Sequence, residues 1–154
     1  MYRENPRVMA QIKGGSTYPD IVGTVTFEQT RNGVLVNADI HNLPYQTGFC
    51  GGGIFAFHIH AGEFCTGTTG DEFADTLSHY NPHACPHPYH AGDLPPLFSN
   101  NNGYAFMEVL TDRFSVDEII GKTILIHEKP DDFTTQPSGG SGPKIACGKI
   151  VRIS

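Results

Sequence analysis

The segment HYNPHACPHPYHAGD, residues 79–93, holds four histidines, three prolines, one cysteine and one carboxylate in fifteen residues. A solvated loop has no need of four imidazoles. His58 and His60 lie two apart in an apolar run that alternates like a strand, so both side chains project from one face. His79 and His90 flank the loop, with His83 and His87 between them, Asp93 follows His90 by three residues, and His127 ends the apolar run TILI. Seven of the eight histidines fall in these three places. Imidazole suits zinc, copper, iron and nickel, and a carboxylate beside it suits zinc. Taken singly, an H-x-H pair, a strand-end histidine and a loop aspartate each have ordinary structural roles. Their concurrence points to a metal site. His41 stands apart and receives no role.

Other metal chemistries fit poorly. Glu63 is three residues after His60, too close for the acid of a cupin pattern. The run HIHAGE lacks the H-x-H-x-D-H order of metallo-β-lactamase-type hydrolases, and no H-E-x-x-H helix is present. The cysteines at 50, 65, 85 and 147 form no C-x-x-C pair, which removes zinc ribbons and thioredoxin-like motifs. They allow three pairings, and four buried thiols are the alternative.

The elements that must position these residues read as strands. RVMAQIK sets Val8, Ala10 and Ile12 on one face, and IVGTVTFEQT does the same with Ile21, Gly23, Val25 and Phe27. Asn32-Gly33 suits a tight hairpin turn leading into VLVNADI. GIFAFHIH, GYAFMEVL, TILIH and IACGKIVRI complete the strands. SVDEIIG carries the one helical signal, with Ser115 and Glu118 as a capping box and Gly121 as its stop. Short strands separated by Gly and Pro describe an antiparallel sandwich or barrel in one domain, residues 1–154. The stretch from Gly62 to Asn102 breaks the rhythm, and its His and Pro content points to order imposed by a ligand.

Composition narrows the partners. With 17% charged and 38% hydrophobic residues the chain is globular, and at a net charge of −6 it is a poor match for nucleic acid or acidic membranes. The first residues lack the basic-then-apolar pattern of a secretion signal. The expectation is a cytoplasmic protein, or a secreted or periplasmic one if the chain is a processed form.

FHIHAGEFC, HYNP…HPYHAGDLPPL, GKTILIHEKPDDF and GPKIACGKI together resemble the copper,zinc superoxide dismutases over nearly the whole chain, and the short segment 133–143 is of the bacterial type. The resemblance implies a Greek-key antiparallel β-sandwich or barrel with long metal-binding loops. It implies copper on His58, His60, His79 and His127, and zinc on His79, His87, His90 and Asp93. His83 competes with His87 for zinc. The eight-residue distance from His79 favours His87. Asp131 corresponds to an aspartate that accepts hydrogen bonds from one copper and one zinc histidine. Cys65 and Cys147 correspond to the family disulfide. A second bridge between Cys50 and Cys85 is open, with two free thiols as the alternative.

The implied activity is a redox cycle on copper that turns superoxide into oxygen and hydrogen peroxide, with His79 carrying a proton. Lys144 stands where the family has an arginine, and segment 133–143 is uncharged, so anion guidance falls to Lys144, with Lys129 as the other candidate. Two other classes compete: a dismutase-like copper-handling domain and a zinc-only structural domain. The complete copper set argues against both and the absence of C-x-x-C against copper handling, while Lys144 in place of the arginine keeps the zinc-only class open. The family includes monomers and dimers, so a homodimer is compatible with the sequence.

Overall fold

In a computed structural model, residues 5–153 are described; residues 1–4 and 154, and with them the start of the stretch read for a leader, lie outside. Nine strands follow in order: β1 Arg7–Gly14, β2 Val22–Thr30, β3 Gly33–His41, β4 Gly53–Phe55, β5 Phe57–His60, β6 Leu97–Ser99, β7 Ala105–Thr111, β8 Thr123–His127 and β9 Lys144–Arg152. Among the described residues one short α-helix, α1, spans Val116–Ile119, and a 3-10 turn spans Ala74–Thr76. Seven strands form one antiparallel sheet in the order β5-β8-β9-β1-β2-β3-β7, and β4 pairs with β6 in a second, two-stranded sheet.

The alternating pattern sets the packing. Val8, Ala10 and Ile12 of β1, Val25 and Phe27 of β2, and Val34, Val36, Ala38 and Ile40 of β3 are all buried in one core. Strand side chains alternate faces, so these residues face inward while their neighbours meet solvent. Phe57 is fully buried there, and its truncation to alanine would cost about 3–5 kcal/mol.

The hairpin between β2 and β3 differs slightly from expectation. Thr30 pairs with Gly33, so Arg31 and Asn32 occupy the corner rather than Asn32 and Gly33. Gly33 alone takes the positive φ, +138°, and a Cβ there would lie 2.6 Å from the Thr111 carbonyl oxygen. The helix keeps its expected start, with the Ser115 N–H donating to Glu118 Oε2 at 2.6 Å, and Gly121 follows at a φ of +86°.

GIFAFHIH is two strands rather than one. The chain changes sheets at Ala56, whose N–H donates to the Lys129 carbonyl at 3.0 Å while its own carbonyl accepts from the His127 N–H at 2.9 Å. Beyond that break β5 pairs with β8 on one side only. Its other edge is covered by the long loop that follows. Tyr80 N–H donates to the Ile59 carbonyl, Ile59 N–H to the Gly92 carbonyl, and Ala61 N–H to the Ser78 carbonyl, each at 2.8 Å. The loop from Gly62 to Asn102 is therefore ordered by backbone pairing to an exposed sheet edge, and not by a ligand alone. It also contains β6, which the sequence reading missed.

Candidate metal centre

Strand β5 is buried on both faces. Phe57 and Ile59 enter the core, whereas His58 and His60 point the other way and are still only 0% and 2% exposed. The long loop closes over them by bridging His60 to His79 and His58 to Asp93. His127, at the end of neighbouring β8, joins them because a register shift between Ile126 and His127 turns the strand end. A disulfide between Cys65 and Cys147, with Cα atoms 5.8 Å apart, anchors the start of the loop to β9.

Ring nitrogens already engaged reveal which ones remain. His58 Nε2 donates to Asp131 Oδ2 at 2.8 Å, which leaves its Nδ1 buried without a partner. His60 Nδ1 donates to the Leu77 carbonyl at 2.8 Å, and His127 Nδ1 donates to the Gly142 carbonyl at 3.3 Å. Their free Nε2 atoms face each other at 3.3 Å. His79 Nε2 is also buried and unpartnered. The donor atoms of His58, His60, His79 and His127 all lie within 4.8 Å of one another.

A second set begins on the other side of the same His79 ring. His79 Nδ1 lies 2.9 Å from Asp93 Oδ1 and 3.1 Å from His90 Nδ1. His87 Nε2 donates to Asp131 Oδ1 at 2.8 Å, so its Nδ1 is the nitrogen left over. That atom sits 3.0 Å from Asp93 Oδ2, in a geometry that makes no hydrogen bond. Donor atoms of His79, His87, Asp93 and also His58 fall within 4.8 Å of one another. His90 Nδ1 also lies 3.2 Å from Asp93 Oδ2, while His58 turns its Nε2 to Asp131. Inward-facing nitrogens with no protein partner are costly unless a cation takes them up. The donor chemistry fits both ions: four imidazoles suit copper, and three imidazoles with one carboxylate suit zinc.

Asp131 joins the two sets. Burial pushes its carboxyl up, but the hydrogen bonds from His58, His87 and the Phe133 N–H outweigh this and hold it far below the usual carboxylate range. Gly139, at a φ of +78°, backs this contact: a Cβ there would collide with Asp131 Oδ1 and lie 2.6 Å from His87 Nε2. The sequence reading did not single out Gly139. Burial also pushes His58, His60 and His127 down, His127 to about 3, and neighbouring imidazoles add to the shift. The site thus keeps these imidazoles neutral and able to donate lone pairs.

A cavity of about 310 Å³ opens over the first set, lined by His60, His79, His127, Pro137 and Lys144 among others. A second cavity, of about 490 Å³, reaches Asp93 and Asp131 from another direction, and no histidine lines it. Lys144 lines the first cavity, with its Nζ 3.3 Å from Asp71 Oδ2. His83 is exposed outside both sets, and Glu63 is likewise exposed. Cys50 and Cys85 are free. The open second bridge is not formed: Cys85 is held in its own turn by two hydrogen bonds with the Asn81 amide, while Cys50 lies in an exposed loop.

A profile of the copper/zinc superoxide dismutase (SODC) family matches residues 21–150. The chain is 34% identical over 139 residues to a Cu-Zn superoxide dismutase of Legionella pneumophila, covering 86% of this chain and 79% of that protein. It is 34% identical over 142 residues to one from Escherichia coli K12, covering 84% and 78%. A Cu/Zn superoxide dismutase from Brucella abortus superposes with a TM-score of 0.77 at 23% identity, covering 93% of this chain and 98% of that one, a likeness of fold. Among the described residues, no helix is long and apolar enough to cross a membrane.

Proposed function

The chain belongs to the copper/zinc superoxide dismutase family, and from that premise we propose that it disproportionates superoxide, using one copper and one zinc ion per chain. Two superoxide anions and two protons become one oxygen and one hydrogen peroxide. The observation that carries this reading is the position of His79, whose Nδ1 meets His90 and Asp93 while its Nε2 is buried and unpartnered beside the other imidazoles. Copper would be held by His58 Nδ1 and by Nε2 of His60, His79 and His127. Zinc would be held by Nδ1 of His79, His87 and His90 and by Asp93 Oδ1. The facing Nε2 atoms of His60 and His127 favour this over a zinc-only structural role, which would leave them without use.

When bound, copper supplies the one-electron couple, and the protein supplies placement and protons. His79 Nε2, when not holding copper, would carry one proton and pass it to the peroxide product, with the second proton coming from solvent, while its Nδ1 stays beside His90 and Asp93. Asp131 fixes the tautomers of His58 and His87, so the remaining nitrogen of each carries its lone pair toward the site. Lys144 draws the anion into the cavity that it lines together with Leu77 and Pro137. The Cys65–Cys147 disulfide supports an oxidising compartment, the secreted or periplasmic branch of the expectation.

The test is superoxide decay measured on protein reconstituted with both ions, beside His60→Ala and His127→Ala. The parent accelerates the decay, and both variants lose most of that activity.

A further inference from the structure

Two side chains outside the donor sets grip the segment His87–His90, which supplies two of the proposed zinc ligands. Gln136 Oε1 accepts from the His87 N–H at 2.9 Å, and Gln136 Nε2 donates to the His87 carbonyl at 2.7 Å. One amide thus satisfies both backbone groups of one residue, as a neighbouring strand would. With His87 Nε2 on Asp131, every polar group of His87 is engaged except Nδ1. From the opposite side, Arg113 Nη1 donates to the Pro88 carbonyl at 2.6 Å and to the His90 carbonyl at 3.3 Å. Its guanidinium also lies 5.8 Å from the centre of the Tyr89 ring.

We propose that Gln136 and Arg113 are positioning residues that preset the His87–His90 segment for zinc. Three separate stretches of chain meet here. The segment lies between β5 and β6, Gln136 between β8 and β9, and Arg113 between β7 and α1. Each bond fixes backbone rather than a ligand atom, so the grip sets where the two rings start from and engages neither Nδ1. Ordering these residues before the ion arrives removes an entropic cost from the binding step. Gln136 also precedes Pro137 and Ser138, which line the cavity over the copper-side imidazoles. The same latch therefore ties the wall of that cavity to the zinc loop.

This inference rests on the assignment of His87 and His90 to zinc. The experiment loads the full chain with copper and zinc and follows zinc transfer to a chromophoric chelator, with cobalt(II) absorption as a report on site geometry. Gln136→Met and Arg113→Met keep the side-chain length and remove the hydrogen bonds. Each is expected to weaken zinc binding about 10-fold or more and to alter the cobalt spectrum, with copper affinity at the parental value. Arg113→Lys, which still carries a donor for the Pro88 carbonyl, recovers part of the loss.

Met variants that hold zinc as tightly as a parent carrying one zinc overturn the inference. So does a parallel fall of zinc affinity, copper affinity and metal-free melting temperature, which marks general loss of structure rather than positioning. A parent that takes up no zinc overturns the ligand assignment and this inference with it.

Discussion

Lys144 Nζ lies 3.3 Å from Asp71 Oδ2 and donates to the Phe73 carbonyl at the same distance. The lysine lining the cavity is thus held by an acid from the long loop, on a chain whose net charge is −6. Asp71 is half exposed, so solvent screens the pair and it dampens the lysine field without cancelling it. Lys144→Ala should slow superoxide decay at low ionic strength and flatten its salt dependence, with metal content unchanged. Asp71→Asn should raise the low-salt rate. Decay rates across a salt series check both. Lys144→Ala with the parental salt dependence would move the steering role to another cation, Lys129 first.

Asp131 accepts from both His58 and His87, one from each donor set. An asparagine there offers one acceptor oxygen and turns an N–H₂ toward the other ring. Asp131→Asn should weaken zinc binding by about 10–100-fold, read by competition with a chelator. Unchanged zinc affinity would mean that the loop alone orients His87.

His87 and His83 separate cleanly in space, one buried in the donor set and the other exposed. His87→Ala should weaken zinc binding and lower the melting temperature of the loaded protein, because the loop loses a tether. His83→Ala should change neither. Reversed behaviour would show that the loop ligates in a different register.

Much of this was legible in the sequence because metal sites constrain residue type at fixed positions. The H-x-H pair had to sit on a strand, and the apolar alternation of Phe57 and Ile59 showed the strand. The core faces of β1, β2 and β3 were equally readable from their period of two. Other features depend on tertiary contact. The break at Ala56 arises from its bonds to Lys129 and His127, more than seventy positions along the chain. The three-residue strand β6 is too short for alternation to mark it. The Asp71 partner of Lys144 and the Gln136 contact with His87 join residues with no shared local pattern. Gly139 left a signal only as one glycine among eighteen.

The metal-free protein should lose stability on mild acidification. His58, His60 and His127 are held below the ordinary histidine value by burial first, His127 to about 3. Between that value and about 6.5 the unfolded chain binds more protons than the folded one, so stability falls as pH drops through this window. Above it, these groups contribute no slope. Asp93 and Asp131 act at lower pH, where their unfolded forms titrate. Urea unfolding of metal-free protein across the window checks this, and a flat profile there would mean that the three imidazoles are not buried together without metal.

The central claim is that His79 belongs to two donor sets and that the pair of sites turns over superoxide. The most direct measurement is superoxide decay in the presence of the chain carrying one copper and one zinc. The account predicts catalytic decay, many superoxide anions consumed per chain, at a rate proportional to protein concentration. A chain that holds both ions in that ratio and leaves the decay at its uncatalysed rate would contradict it.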